Sequence, residues 1–341
     1  MATTRVIGLD LAKHVFQAHG ADDAGHVTFR QRLRRDKVLE FFAAQPPCLV
    51  AMEACGGAHY WGREISRLGH DVRLIPASYV KPFVKRQKND AADAEAICEA
   101  ALRPTMRFVT IKSEQQQASA VVFRARDLLV RQRTQIINSL RGHLAEYGRV
   151  VAQGPGHVTK LIAQVEDPAS GLPPAASLAL GLLIGMLRTL DEQIARMDTE
   201  IARRAREDEV ARRLTTIPGI GPVTATAMAA LAPAAEAFRK GRDFAAWMGL
   251  TPVQKSSGGK QKLGRTSKMG ERTLRRLLII GACAVVQQAT RRGAPQGSWL
   301  AQILTRKPRI VVIVALANKM ARTVWALLAK GGIYQAPTVA A

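Results

Sequence analysis

Val6-Ile7-Gly8-Leu9-Asp10-Leu11, close to the N-terminus, is the stretch from which the fold can be read. It is too apolar for a surface segment and too short for a helix, which predicts a central β-strand. Asp10 closes that strand at its C-terminal edge, where open α/β sheets collect their ligands. Taken alone, such an aspartate is more often a turn residue. Its meaning therefore depends on the acids that follow it.

Reading outward, residues 14–20 and 26–33 alternate as two further strands joined by a turn at 21–25, which makes a three-stranded meander. Asp36 is placed to cap a short helix through about Ala44, stopped by Pro46 and Pro47. Residues 48–52 form another buried strand, and it ends in a second carboxylate, Glu53. Strand, acid, hairpin, helix, strand, acid is the order by which ribonuclease-H-like folds bring two acids together from adjacent strands. After the Gly56-Gly57 turn come a helix at 60–68, a strand at 72–75, and a segment at 76–88 read as helical and basic. Its cations Lys81, Lys85, Arg86 and Lys88 suit phosphates beside the acids. Asn89-Asp90-Ala91-Ala92-Asp93-Ala94 then favours helix, with Asp90 and Asp93 at i and i+3 on one face. Two like charges so placed repel unless a cation, such as a divalent metal, lies between them; the competing reading is a helix N-terminus, where aspartates are welcome.

The net charge of +23 and pI near 10.8 call for a polyanionic partner. Residues 1–112 hold 17 Lys and Arg against 12 Asp and Glu, residues 113–212 hold 13 against 12, and residues 213–341 hold 20 against 3. A solubilising surface mixes both signs, whereas a segregated basic field suits phosphate neutralisation, so nucleic acid is the expected partner. Cys48, Cys55, Cys98 and Cys283 lack CxxC spacing and read as reduced core thiols rather than a zinc site. There is no run of 18 uninterrupted apolar residues and no leader-like N-terminus, from which a cytoplasmic protein with no membrane partner is expected.

Residues 113–147 form a long helical stretch with apolar positions Ala118, Val122, Ala125, Leu129, Ile136, Leu140 and Leu144. Leu183, Leu187, Leu190, Ile194, Met197 and Ile201 repeat the spacing in a second helix. Such seams associate as antiparallel pairs or across subunits. Between them, residues 154–174 are rich in Gly and Pro and read as a linker. Ile217-Pro218-Gly219-Ile220-Gly221 and the helix at 223–230 have the pattern of a helix-hairpin-helix, in which glycines let backbone N–H groups approach a phosphate. The alternative for this motif is a packing turn between helices. The loop from Gly249 through Lys255-Ser256-Ser257-Gly258-Gly259-Lys260, with Lys262, Arg265 and Lys268, can wrap a phosphodiester and offer it a hydroxyl. Helices at about 271–289 and 309–328 close the chain, and the tail after Gly331 reads as frayed.

In this order, Val-Ile-Gly-Leu-Asp10, Met-Glu53-Ala, Asn-Asp90-Ala-Ala-Asp93-Ala, Ile-Pro-Gly-Ile-Gly and Gly-Leu-Thr-Pro with Ser-Ser-Gly-Gly-Lys, the motifs resemble those of the DEDD-type transposases of the insertion-sequence one-hundred-and-ten family, relatives of the Piv DNA invertase. The resemblance runs from about residue 5 to 330. It implies an α/β RuvC-like (ribonuclease-H-like) N-terminal domain over 1–147, including the start of the long helix, and a linker with a coiled-coil helix over 148–212. A mostly α C-terminal transposase domain with the helix-hairpin-helix and a nucleophilic serine would span 213–331, ahead of a tail at 332–341. Carried over residue by residue, Asp10, Glu53, Asp90 and Asp93 match the four acids that bind Mg²⁺, and Ser257, immediately before glycine, matches the nucleophile with Ser256 one position off. Gly219, Gly221, Lys255, Lys260, Lys262, Arg265, Lys268, Lys85, Arg86 and Lys88 are the expected nucleic-acid contacts. The family further implies recombination of donor element ends with target DNA, a structured bridge RNA as guide, homodimers pairing into tetramers, and a bacterial cytoplasmic location at the nucleoid when active. The competing expectations are a RuvC-like endonuclease using metal-activated water and a non-catalytic helix-hairpin-helix binding protein.

Overall fold

The computed structural model describes residues 3–85 and 89–336. Contacts divide it into two compact units that meet between Gln117 and Ala118. The first is built from β1 (Val6–Asp10), β2 (Val15–Ala21), β3 (Val27–Arg34), α1 (Val38–Ala43), β4 (Leu49–Glu53), α2 (Ala58–Arg67), β5 (Asp71–Ile75), α3 (Ala77–Val80) and α4 (Asp90–Ala101). The five strands form one mixed sheet in the order β3-β2-β1-β4-β5. β1 runs antiparallel to β2 and parallel to β4, and β4 runs parallel to β5.

Strand alternation sorts the side chains onto two faces. Ile7, Leu9, Phe16, Val50 and Met52 pack against Val38 and Phe42 of α1 and Ala58, Trp61 and Ile65 of α2. Val6, Ala21, Ala51 and Ile75 pack on the other face against Val80 of α3 and Ala96, Ile97 and Ala100 of α4. Helices therefore cover both faces, which is why the central strands read as unbroken apolar runs.

Two local expectations in this unit are corrected. Asp36 caps no helix: a 3-10 turn, Arg35–Lys37, precedes α1, whose N-cap makes no side-chain bond, and Asp36 instead accepts from Arg34 Nε at 3.3 Å. The segment 76–88 is not one helix either. α3 ends at Val80, a 3-10 turn containing Pro82 follows, and Val84 is extended with ψ 116°. Pro82 has no N–H to continue the helix and its ring crowds the preceding turn. Lys85 consequently lies outside a helix, and Arg86 and Lys88 fall outside the described residues.

The second unit holds most of α5 (Glu114–Glu146), then α6 (Val158–Glu166) and α7 (Pro174–Glu207). α5 and α7 lie antiparallel within one chain: Arg126 pairs with Asp198 and Arg133 with Asp191, so partners ascend one helix as they descend the other. Ile136, Ile137, Leu140 and Leu144 meet Leu180, Ile184 and Leu187 in their shared core. The expected seam shifts in the first half of α5, where Ala118 is exposed and Ala120 and Phe123 are buried. The stretch 154–174 is more than a linker, because α6 packs Val158, Leu161 and Val165 into the same core at helical spacing.

The chain continues through α8 (Glu209–Thr215), α9 (Pro222–Leu231), α10 (Gly241–Trp247), a two-stranded hairpin of β6 (Pro252–Gln254) and β7 (Leu263–Thr266), α11 (Arg272–Arg292), α12 (Trp299–Leu304) and α13 (Arg309–Lys330). Met228, Phe244, Leu274, Leu278 and Val324 share one core. α7 and α13 are long and apolar enough to cross a membrane by length and composition. α13 places Val312, Ala317, Met320 and Ala321 in that core. The chain past Gly331 is docked rather than frayed at Tyr334, which packs on the core and whose N–H donates to Thr216 Oγ1 at 2.9 Å.

Gly219, at φ +86° in the turn between α8 and α9, sits backbone to backbone against Gly281 of α11. A methyl group on Gly281 would lie 2.0 Å from the Gly219 carbonyl oxygen. Because neither backbone can yield without moving a helix, Gly281→Ala is expected to destabilise the protein by at least ~1–3 kcal/mol. Thermal unfolding checks this; an unchanged melting temperature would contradict the contact.

Candidate active site

The geometry of the acidic site follows from one missing side chain. Gly8 lies in the middle of β1, and a Cβ there would stand 2.3 Å from the Ala94 carbonyl oxygen and 2.6 Å from the Cys98 nitrogen. α4 therefore rests with its backbone directly on the strand. Burial in this contact pushes the Cys98 thiol up to about 11. A glycine inside an apolar strand run is the sequence signal for such an approach, and the motif reading passed over it. At the start of α4, Asn89 is the N-cap, its side-chain oxygen accepting from Ala92 N at 2.8 Å. Asp90 and Asp93 are thus in the first turn without serving as the cap.

Asp10 at the end of β1 meets these two residues. One carboxylate oxygen from each of Asp10, Asp90 and Asp93 falls within 4.8 Å of the others, the cation-sized acidic group found among the described residues. Oxygen ligands held ~2.1–2.6 Å from a common hard divalent cation are at most ~4–5 Å apart, so the donor set and its spacing fit such an ion. Asp10 and Asp93 are half-buried and Asp90 is exposed, which leaves the site open to a strand from outside. Glu53 is not in the 4.8 Å group. It ends β4 one position beyond the Leu9 to Met52 pairing, so it occupies the same sheet edge, and alternation puts it on the face of Ala51 that α4 covers. Cys55, exposed two residues after Glu53, has its thiol raised by partial burial, then by the charges of Glu53 and Asp10. Cys55 is thus not a core thiol, because the loop after β4 carries it to the sheet edge.

Of the basic residues expected beside the acids, Lys81 and Lys85 are described: Lys81 is exposed, and Lys85 donates to Glu95 of α4 at 2.6 Å. Arg30 reaches the same carboxylate at 3.3 Å, and the Lys85 hydrogen bond holds Glu95 below the usual carboxylate range. These contacts fasten α4 to β3 and to the segment ahead of it.

In the second unit, the serine-containing loop is an ordered hairpin. Lys255 N donates to Lys262 O at 2.9 Å and Lys260 N to Ser257 O at 3.1 Å, around Gly258 and Gly259 at φ +57° and +74°. Two consecutive positive φ angles make the tight turn whose twist matches a hairpin, and glycine adopts them at little cost. The two serines differ. Ser256 Oγ accepts from Lys262 N at 3.0 Å and from Gln254 Nε2 at 3.1 Å, so it ties the hairpin together. Ser257 is exposed at the tip, and among the described residues its hydroxyl makes no hydrogen bond. Lys255, Lys260, Lys262, Arg265 and Lys268 are all exposed, and among the described residues none forms an ion pair. Lys268 has the left-handed φ of +55°.

The helix-hairpin-helix pattern divides similarly. Gly219 is consumed by packing on Gly281, whereas Gly221 is the N-cap of α9 with open space around it. Gly8→Ala, by displacing α4 from β1, is expected to weaken Mn²⁺ binding at the aspartates by about tenfold or more. A Mn²⁺ titration followed by electron paramagnetic resonance reads this; wild-type affinity in a folded variant would remove the role given to Gly8.

Comparison with known proteins places the whole chain. The DEDD transposase profile of the IS110 group matches residues 7–148, and the profile of the transposase IS116/IS110/IS902 family matches residues 211–296. A "Probable family 20 transposase" of Pseudomonas aeruginosa is 49% identical over 332 residues, covering 96% of this chain and 98% of that protein. The transposase for insertion sequence element IS1328 of Yersinia enterocolitica is 41% identical over 98% of this chain and 99% of its own length. The transposase for insertion sequence element IS1111A of Coxiella burnetii is 38% identical, over 98% and 92%. With a family profile matching residues 7–148 and identity to transposases of 38–49% extending over nearly the full length, the chain belongs to the IS110 family of DEDD transposases.

Proposed function

We propose that this transposase cuts and rejoins DNA through Ser257, assisted by Mg²⁺ held by Asp10, Asp90 and Asp93 with Glu53 completing the set. The observation that carries the reading is the convergence of three carboxylates from β1 and α4 within 4.8 Å in a chain of net charge +23. Carboxylates weaken binding of a polyanion unless a cation offsets them, so their grouping is explained by metal chemistry better than by DNA affinity alone. When bound, the ion supplies charge neutralisation at the phosphate and help for the leaving oxygen.

Ser257 is supported as nucleophile by its place at the tip of a tight basic turn with a hydroxyl not engaged in the hairpin. Its Oγ would lose a proton and attack phosphorus, breaking one P–O bond and releasing a strand hydroxyl. The resulting phosphoserine ester keeps the bond energy, and a second strand hydroxyl reverses the step. The cations Lys255, Lys260, Lys262, Arg265 and Lys268 hold the strand, with the open N-terminus of α9 at Gly221 as a further helix-hairpin-helix phosphate contact. In this reading 1–147 is the RuvC-like domain, 148–212 a coiled-coil linker and 213–331 the serine-containing transposase domain, working as dimers that pair into tetramers in the cytoplasm, at the nucleoid when active. A structured RNA guides the choice of donor and target sequences.

Ser257→Ala is expected to abolish covalent protein–DNA adducts on denaturing gels while sparing DNA binding. Ser256→Ala, which loses two hairpin bonds, retains adducts at lower yield. Adducts that persist without Ser257 would exclude it as nucleophile, and cleavage indifferent to both serines would instead favour a RuvC-like nuclease using metal-activated water. Sequencing RNA that co-purifies with the protein tests the guide: one abundant species mapping beside the gene supports it, and only bulk RNA counts against it.

A further inference from the structure

The acidic edge of the sheet has a second feature that the strand-transfer chemistry does not use. On the face opposite α4, an open cleft of about 890 Å³ is lined by His14, Arg34, Arg35, Asp36, Tyr60 and Trp61. These residues come from three connections: the entry to β2, the exit from β3, and the first turn of α2. The rim is fastened by Arg35 N donating to the His14 carbonyl at 2.9 Å.

The floor is aromatic and rigid. Trp61 is 5% exposed and meets Phe16 edge-on at 5.1 Å and Tyr60 at 5.2 Å. The Arg35 guanidinium lies over the Trp61 ring at 5.2 Å and over Phe16 at 5.8 Å, which holds its charge at the cleft wall. Tyr60, by contrast, is 43% exposed, a large aromatic ring left facing solvent. Arg34 pairs with Asp36 at 3.3 Å, but both side chains are well exposed. Such a pair is worth little and yields readily to a stronger anion.

A solvent-facing aromatic ring beside two guanidinium groups is the combination that binds unpaired nucleotides, the ring taking a base and the cations its phosphate. The position agrees with that chemistry. Asp10 and His14 are four residues apart, so their Cα atoms are no more than about 14 Å from one another. A strand crossing the C-terminal edge of β1 can therefore present one phosphate to the aspartates and a neighbouring nucleotide to the cleft.

We propose that this cleft holds a single unpaired nucleotide of the strand at the acidic site, its base stacked on Tyr60 and its phosphate met by Arg34 and Arg35. The cleft reads base pairing rather than sequence, since any base offers a stacking face and a duplex offers none. The proposal rests on the acids being a strand-processing site, and its test is built to separate the two. DNA and RNA share the recognised chemistry, so both are used as probes.

Single-stranded DNA and RNA oligonucleotides of one sequence, each carrying 5-iodouracil, are photo-crosslinked to the full chain and the modified peptide is identified by mass spectrometry. The expected product is the peptide containing Tyr60. Crosslinking by DNA, alone or together with RNA, supports the proposal, the second case marking a pocket indifferent to the sugar; crosslinking by RNA alone would overturn it, because the strand at the acidic site is DNA. Tyr60→Ala should weaken oligonucleotide binding about tenfold, Tyr60→Phe should keep it, and Arg34→Gln should lower the salt slope by about 1. Mn²⁺ affinity at the aspartates should not change in Tyr60→Ala, whereas Asp10→Asn should lose Mn²⁺ and keep the crosslink. Crosslinks confined elsewhere, or equal affinity in Tyr60→Ala, would overturn the cleft's role; intact Mn²⁺ binding in Asp10→Asn would overturn the acidic site instead.

Discussion

The contact on which the first unit depends is the seating of α4 on Gly8. A strand interior loses packing when it contains glycine, yet here the absent Cβ lets the carbonyl of Ala94 and the nitrogen of Cys98 approach the strand backbone. That approach sets the height of α4 above the sheet, and the height decides whether Asp90 and Asp93 reach Asp10. The apolar side of α4, Ala96, Ile97, Ala100 and Ala101, is buried against Val6, Ala51 and Ile75. This packing holds one carboxylate oxygen of each of the three aspartates within 4.8 Å of the others, a spacing that fits a hard cation.

Charge segregation is carried through into the architecture. The acids gather at the C-terminal edge of the five-stranded sheet, while the most basic third of the chain folds into a helical core bearing the β6–β7 hairpin. In that hairpin the two serines have opposite duties. Ser256 bonds across it to Lys262 and Gln254, and Ser257 stays at the exposed tip above the Gly-Gly turn. The base of the hairpin is fixed by its paired strands and by Arg275, which donates to Met248 O and Met269 O.

Much of this was legible from the sequence. The strands of the first unit lie within about a residue of the apolar runs that announced them, because alternation and burial are written into five or six consecutive residues. The i, i+3 spacing of Asp90 and Asp93 foretold a shared face, and the strand-end position of Asp10 foretold where that face would be met. What was misread has a common cause. Asp36, the Pro82 break and the buried α6 were decided by neighbours that compete with the local pattern.

The sequence by itself determined the strands of the first unit, the family and the concentration of positive charge in the last third. Only the tertiary structure decided that Gly8 positions α4, that Glu53 stands outside the tightest acidic group, that Ser256 is tied down while Ser257 is not, and that Tyr60, Trp61 and two arginines share a cleft. The physical reason is range. Propensity and periodicity act over a few residues, whereas close backbone approach, hydrogen-bond partnership and cavity shape arise between segments that the chain brings together only when it has folded.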